Sequence, residues 1–250
     1  MRIGGCFASF LDALGFLSIM PMVRKTPLEP MEFGRFPAWY PVVGLFFGLD
    51  LFITWHLASL VFPPAVAATA VCALLVTLNR GFHIDGLADA ADALFSHKSR
   101  EQKLIIMKDS RQGTFGVLAI VFDVILKIQL IAVVAPLASW ALILWPVWGR
   151  VAASVVAVNS QYVGSEGGLG RYMVENSTPR ELFYAAMFSL ILSLFFGFAA
   201  ALSCLAAIAC GFALTFVWHR SLGGVTGDLL GATIELTEII IITFFFIIHI

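Results

Sequence analysis

The sequence predicts an all-α integral membrane protein, a polytopic bundle of about eight transmembrane helices. Two features of its composition point there: 60% of the 250 residues are hydrophobic and only 12% are charged, whereas about a quarter of the residues of a soluble domain are charged. The third observation is that the polar residues gather into a few segments between long apolar ones. We expect one transmembrane domain over residues 1–250, with a polar segment at 81–116 and an acidic segment at 220–238.

Eight apolar stretches are long enough to cross a bilayer as helices. In chain order they cover residues 4–23, 38–60, 64–82, 114–134, 137–160, 182–198, 201–218 and 229–250. Short turns without Lys or Arg join some of them, at 61–63, 135–136 and 199–200. Longer polar segments join the others, at 24–37, 83–113, 161–181 and 219–228. Alternating spans therefore place all four polar segments on one face of the membrane.

That face also holds most of the positive charge, which predicts its orientation. Lys and Arg are enriched in cytoplasmic loops, so we expect the four segments, and any active site they form, to face the cytoplasm. Both termini would then lie outside, unless the first segment only re-enters the membrane, which would put the N-terminus inside. The basic residues concerned are Arg24, Lys25, Arg35, Lys98, Arg100, Lys103, Lys108, Arg111, Arg171, Arg180 and Arg220.

The first chemical signal is an acidic stripe in the segment FHIDGLADAADALFS. Asp85, Asp89 and Asp92 stand at i, i+4 and i+7, so a helix would carry them on one face. Three like charges repel one another unless a divalent cation or a basic partner neutralises them, and Mg²⁺ is the usual cation for carboxylate oxygens. His83, at the start of this segment, could be a base, a metal ligand or a helix cap.

A basic turn, MKDSRQGTFG, follows the acidic stripe. It combines charged and hydroxyl side chains with two glycines, a composition suited to binding phosphate. The candidate phosphate-binding residues are Lys108, Asp109, Ser110, Arg111 and Thr114. Together the stripe and the turn indicate phosphoryl chemistry.

A second acidic stripe lies near the C-terminus in LGGVTGDLLGATIELTE. Asp228 and Glu235 are two helical turns apart on one face, and carboxylates in an apolar helix are costly without a cation or a functional reason. The pair indicates either a bound cation, for which the two would form a second metal site, or another functional role. Arg150, which sits within an apolar run and is expected to be buried against a polar group, and Arg220 are two further candidates for substrate or phosphate binding.

Other classes of site have little support in the sequence. No basic stripe of the kind that binds nucleic acid is present. The four cysteines lie in apolar runs without metal-ligand spacing, and we interpret them as core residues. Asp123 and Lys127, one helical turn apart inside an apolar span, are expected to pair with each other.

Several long motifs resemble one known family. FHIDGLADAADALFS, IMKDSRQGTFGVLA and LGGVTGDLLGATIELTE closely resemble signature segments of cobalamin synthase, also called adenosylcobinamide-GDP ribazoletransferase. YPVVGLFFG at Tyr40 to Gly48, Arg150, and EGGLG at Glu166 to Gly170 extend the resemblance over nearly the whole chain in the same order.

This resemblance implies a Mg²⁺-dependent enzyme of the cytoplasmic (inner) membrane in coenzyme B12 synthesis. Members join adenosylcobinamide-GDP to α-ribazole or its 5′-phosphate and release GMP. Asp85, Asp89 and Asp92 would then hold Mg²⁺ on the pyrophosphate, and one of these carboxylates or His83 would take the hydroxyl proton. The candidate protein partners are other late B12 enzymes and a second copy of the chain.

Two other function classes compete with this hypothesis. A CDP-alcohol phosphotransferase also displaces a nucleoside monophosphate in a membrane, but the arginine of its acidic motif is missing here. An ion-coupled transporter could use Asp85, Asp228 and Glu235 as ion ligands, yet no internal repeat is evident in the sequence. A purely structural membrane subunit would not need this density of charged and glycine motifs.

Overall fold

The computed structural model describes residues 3–21, 28–164 and 168–249, so Arg24, Lys25 and Glu166 lie outside the described part of the chain. Twelve helices occupy these ranges, and the one departure from helix and turn within them is an isolated bridge between Tyr162 and Val225. The helices are α1 (Ile3–Leu17), α2 (Pro30–Phe33), α3 (Phe36–Ser59), α4 (Pro64–Leu78), α5 (Phe82–Phe95), α6 (Arg100–Ile106), α7 (Thr114–Ala138), α8 (Ala141–Val158), α9 (Leu169–Asn176), α10 (Pro179–Phe195), α11 (Phe198–Leu222) and α12 (Gly227–His249). The all-α prediction is confirmed.

The predicted number of eight spans is not confirmed. Each apolar stretch coincides with one helix, but among the described helices only α3, α7, α8, α11 and α12 are long and apolar enough to cross a membrane. The pair α4 and α5, bent by 86°, would make a sixth span if it counts as one. Helices α1 and α10 have 15 and 17 residues, fewer than the roughly 20 residues that a membrane-crossing helix needs.

The bend between α4 and α5 has a local cause. The apolar stretch 64–82 does not stay helical to its end, because Arg80 and Gly81 adopt positive φ angles of 54° and 71°. Left-handed residues terminate a helix and redirect the chain. As a result α5 leaves the direction of α4 and carries its acidic residues across the end of the bundle.

Helix α8 is the centre of the bundle. Of its 18 residues, all except Ile143 and Val158 are buried. Three glycines let the neighbouring helices pack closely against α8. Gly44 and Gly48 of α3 face its backbone, and Gly211 of α11 faces Ala152. Small residues at such crossings bring helix backbones together in membranes, where close packing drives association.

Helices α5 and α12 also cross at glycines, and this crossing positions the site. A Cβ atom on Gly86 would overlap the backbone of Asp228, and one on Gly231 would lie 3.0 Å from Cα of His83. Each helix therefore presents a glycine to the partner's acidic or histidine residue. The crossing places Asp228 beside the acidic stripe of α5.

The four polar segments meet at one end of the bundle, as predicted. Gly34 lies against Asn176, and the guanidinium group of Arg100 lies against Gly223. The backbones of Tyr162 and Val225 form the isolated bridge. These contacts link all four segments to one another, so the charged residues that they carry share one surface.

Candidate active site

Asp85 and Asp89 face the basic turn from helix α5. The side-chain Nε2 of Gln112 lies 3.5 Å from Oδ1 of Asp85 and 3.4 Å from Oδ1 of Asp89. A single amide thus bridges the two carboxylates across a separation of more than twenty residues. The acidic stripe and the basic turn are therefore in contact, as expected if both take part in the same chemistry.

Asp92, the third member of the stripe, has a different environment. Its carboxylate accepts hydrogen bonds from the backbone N–H groups of Gly113 at 2.6 Å and Gly116 at 2.8 Å. A carboxylate at the start of a helix satisfies free N–H groups and interacts favourably with the helix dipole. Asp92 therefore anchors the start of α7 and the basic turn, with one hydrogen bond to each of its oxygens.

Asp228 joins Asp85 and Asp89 from the opposite helix. It stands in the first turn of α12, and its Oδ2 accepts a hydrogen bond of 3.3 Å from the hydroxyl of Thr226. Asp85 and Asp228 both act electrostatically on Asp89. Across the described ranges, however, no three Asp, Glu, His or Cys side chains are grouped so as to hold a metal ion by themselves.

A cavity of about 200 Å³ opens beside these carboxylates, between α1, α3, α5, α9 and α12. Its polar lining includes Asp85, Asp228 and His83, and backbone of Gly227. The remaining wall is apolar and aromatic, with Phe16, Tyr40, Phe82, Met173 and Ile234 among its members. The cavity therefore has one acidic side and one apolar side.

The basic turn is open to solvent. Lys108, Ser110, Arg111 and Thr114 are exposed at the surface between α6 and α7. Nη2 of Arg111 lies 2.7 Å from Oδ2 of Asp109, and this ion pair lowers the pKa of Asp109 to about 2. Asp109 thus orients the guanidinium group. The carboxylate of Asp109 would itself repel a phosphate group, so any effect of Asp109 on phosphate binding acts through Arg111.

Glu235, a predicted metal ligand, lies elsewhere. It is buried in α12 and accepts a hydrogen bond from Nζ of Lys127 in α7. The same Nζ lies 3.3 Å from Asp123 and 3.0 Å from Glu238, which confirms the expected pairing of Asp123 with Lys127. Glu235 is therefore neutralised inside the bundle. It reaches the cavity only indirectly, through Nδ1 of His83 at 3.9 Å.

Arg150 and Arg220 are also separate from the cavity. Arg150 is fully buried, donates to Oδ1 of Asn79 at 2.7 Å, and lies 3.6 Å from Oε1 of Glu238. Burial against polar groups was the expectation for Arg150, and its side chain has no exposed surface in this structure. Arg220 is exposed in the last turn of α11 and does not line the cavity.

Sequence reasoning missed two kinds of residue. Gln112 was overlooked although it lies inside the basic turn, because an uncharged amide gives no signal of its own. Tyr40, whose hydroxyl contacts the sulfur of Met173 at 2.8 Å, lies within an apolar stretch. Its position in the cavity wall depends on the packing of α3 against α9, which no local pattern predicts.

Comparison with known proteins identifies the family of this chain. The family model of cobalamin-5-phosphate synthase (CobS) matches residues 9–246. A protein of Syntrophobacter fumaroxidans named adenosylcobinamide-GDP ribazoletransferase is 35% identical over 246 residues, which cover 95% of this chain and 97% of the relative. Relatives of the same name are 34% identical in Acetivibrio thermocellus, over 94% of this chain and 95% of the relative, and 38% identical in Pseudomonas putida, over 93% and 96%.

No solved structure matches the chain. The family match is nonetheless decisive, because it covers all three segments that build the site, namely the acidic stripe of α5, the basic turn and the start of α12. An all-helical bundle with apolar helices of membrane-crossing length is also what a membrane enzyme requires. The chain belongs to the cobalamin-5-phosphate synthase family, a family of transferases.

Proposed function

We propose that this protein is an adenosylcobinamide-GDP ribazoletransferase of cobalamin biosynthesis. It would join adenosylcobinamide-GDP to α-ribazole or α-ribazole 5′-phosphate and release GMP. The observation that carries the proposal is the bridge from Gln112 to Asp85 and Asp89. It brings phosphate-binding donors and carboxylates together beside a cavity, as the transfer of a substituted phosphate group requires.

The proposed reaction is a displacement at phosphorus. The oxygen of a ribose hydroxyl forms a bond to the phosphorus next to the corrinoid arm, and the bond from that phosphorus to the oxygen of the GMP leaving group breaks. The hydroxyl proton passes to a base. His83 and Asp85 both line the cavity, so both are placed to receive it.

Carboxylates of α5 and α12 fit the Mg²⁺ that the family resemblance implies. One or two of Asp85, Asp89 and Asp228 would hold the ion together with substrate phosphates and water, since the three are not grouped as a metal site by themselves. When bound it would neutralise the pyrophosphate charge and stabilise the leaving group. Mg²⁺ is usually held by one or two carboxylates together with substrate phosphates and water, so a complete protein cage is not needed. We leave Asp92 and Glu235 out of this set. Asp92 accepts hydrogen bonds from glycine amides, and Glu235 accepts one from Lys127.

Side chains of the basic turn would bind the diphosphate. Lys108 and Arg111 supply positive charge, and Ser110 and Thr114 supply hydroxyl donors, all at the exposed surface. Asp109 holds Arg111 in position, so part of the entropy cost of ordering that side chain is met before the substrate arrives. These groups act by orientation and charge, which dominate catalysis of phosphoryl transfer.

We further propose that the protein resides in the cytoplasmic membrane with the site facing the cytoplasm, where both substrates would meet it. Association with other late B12 enzymes would follow from this location. The transporter alternative loses one of its three proposed ion ligands, because Glu235 is paired with Lys127 in the bundle.

GMP release tests the proposal directly. The purified, detergent-solubilised protein is given adenosylcobinamide-GDP and α-ribazole, with Mg²⁺ and then with a chelator. We expect GMP and a cobalamin product in equal amounts, and loss of both with the chelator or in Asp85→Asn. Asp50→Asn is the matched control, since Asp50 is an exposed carboxylate of α3 outside the cavity. Absence of GMP under every metal would disprove the proposal.

A further inference from the structure

We infer that the cavity between α1, α3, α5, α9 and α12 is the binding site of the neutral nucleoside acceptor, and that the pyrophosphate and the corrinoid bind outside it. The inference rests on the proposed function and adds to it a division of the site between the two substrates. It is carried by the size of the cavity, by the charge of its lining and by the position of Asp85.

The size of the cavity limits what can enter it. Its volume is about 200 Å³, and an apolar cavity of roughly 150 Å³ is enough for a single benzene-sized ring. A planar aromatic base with part of its sugar fits such a space. A corrin macrocycle is many times larger and does not, so the corrinoid must remain at the surface.

The side chains of the cavity wall also favour a planar aromatic base. Phe16, Tyr40 and Phe82 offer aromatic contacts, and Met173 offers a polarisable sulfur, which together suit a flat aromatic ring. The hydroxyl of Tyr40 is already directed at Met173, so this wall presents little polar surface. A base that needed many hydrogen bonds would leave groups unsatisfied there.

The charge of the lining disfavours phosphate in the interior when no cation is bound. The charged side chains that line the cavity are Asp85 and Asp228, and no Lys or Arg belongs to the lining in the described part of the chain. Without a bound cation, these carboxylates would repel phosphate groups. A ribose hydroxyl, in contrast, can donate a hydrogen bond to them. The cations suited to phosphate stand on the other side, in the basic turn.

Asp85 lies at the boundary between the two regions. It lines the cavity and also contacts Gln112 of the basic turn at 3.5 Å. A nucleoside in the cavity would therefore present its hydroxyl at Asp85, and a diphosphate held by the basic turn would bring its phosphorus to the same residue, so that the hydroxyl oxygen and the phosphorus would be adjacent there. This is the arrangement that in-line displacement needs.

Gly227 offers a way to obstruct the cavity at its exposed edge. It lines the cavity at the start of α12, and a Cβ atom added there would meet no protein atom within 4 Å. Gly227→Leu should thus add bulk at the edge of the cavity without displacing the fold, and Gly227→Ala should add less. Leu169→Phe is the matched control, because it adds bulk at a neighbouring residue that is 51% exposed and outside the lining.

Equilibrium dialysis of α-ribazole against the full-length protein in detergent, without donor and without Mg²⁺, measures the cavity directly. We expect Gly227→Leu to weaken α-ribazole binding by about tenfold or more, Gly227→Ala to weaken it less, and Leu169→Phe to leave it unchanged. Binding of adenosylcobinamide-GDP should be equal in all four proteins. Equal α-ribazole affinity in Gly227→Leu and wild type would overturn the inference, as would loss of donor binding instead of acceptor binding.

The two proposals fail in distinguishable ways. If the wild-type protein releases GMP but Gly227→Leu raises the KM of the donor and not that of the acceptor, the transferase function stands and the cavity assignment is wrong. If the wild-type protein binds α-ribazole and Gly227→Leu does not, yet no GMP forms with any donor, the cavity assignment stands and the reaction is wrong. Failure of the wild-type protein to bind α-ribazole overturns the assignment.

Discussion

Lys127 of α7 donates a hydrogen bond to Glu235 of α12 in the interior of the bundle. Asp123 and Glu238 lie within 3.3 Å of the same ammonium group, so one cation serves three carboxylates, and Arg150 lies near Glu238 from the other side. Buried charges persist only when they are paired. The network ties α7, α8 and α12 together directly behind His83, and it explains why Glu235 is not available to a metal ion.

Lys127→Met should strongly destabilise the protein. The substitution keeps the volume but leaves three buried carboxylates with a single nearby arginine, and removal of one partner of a buried ion pair costs roughly 3–5 kcal/mol. Thermal unfolding in detergent measures the loss. Lys98→Met, at an exposed residue, is the control and should change the melting temperature little. Equal melting temperatures for the two variants would contradict the role of Lys127.

Asp89→Asn should leave the protein folded while reducing turnover by about two to three orders of magnitude. Asp89 contacts Gln112, and an amide in its place cannot provide the negative charge that we propose for Mg²⁺. GMP release at saturating substrate gives the change in kcat, and the Mg²⁺ concentration for half-maximal rate should rise. Near-normal turnover with an unchanged Mg²⁺ requirement would remove Asp89 from the site.

Gly116→Ala should detach the basic turn from α5. Its Cβ atom would lie 2.5 Å from Oδ2 of Asp92, which is too close for the hydrogen bonds from the Gly113 and Gly116 amides to survive. We expect a loss of about 1–3 kcal/mol in stability and a higher KM for adenosylcobinamide-GDP. Val117→Ala, at a neighbouring residue that is 49% exposed, is the control. A normal donor KM in Gly116→Ala would show that the anchor is dispensable.

Asp109→Asn should raise the KM of the donor without changing the pH dependence of activity. Arg111 lowers the pKa of Asp109 to about 2, so the contribution of this carboxylate is complete above its ordinary pKa of about 4 and is lost only as the pH falls through 2. Between pH 5 and 9 it therefore does not titrate. Kinetics across that range should give parallel profiles for the variant and the wild type. A shifted acid limb in the variant would contradict the assigned ionisation state.

Much of the site was predictable because its chemistry is local in sequence. The spacing of Asp85, Asp89 and Asp92 follows the helical repeat, and a single helix does carry them. The basic turn and the start of α12 were equally visible, since charged and glycine residues stand out in an apolar chain. The sequence by itself thus determined the fold class, the one face that collects the polar segments, and the segments that meet there.

Tertiary structure decided how the carboxylates divide their roles. Asp92 and Glu235 have the same spacing signals as Asp85 and Asp228, yet backbone amides occupy the first and Lys127 the second. Those partners are 21 and 108 residues away in the chain. A carboxylate's role depends on which donor reaches it, and helix packing brings the donors together. Sequence periodicity specifies only the face of a helix on which each side chain lies.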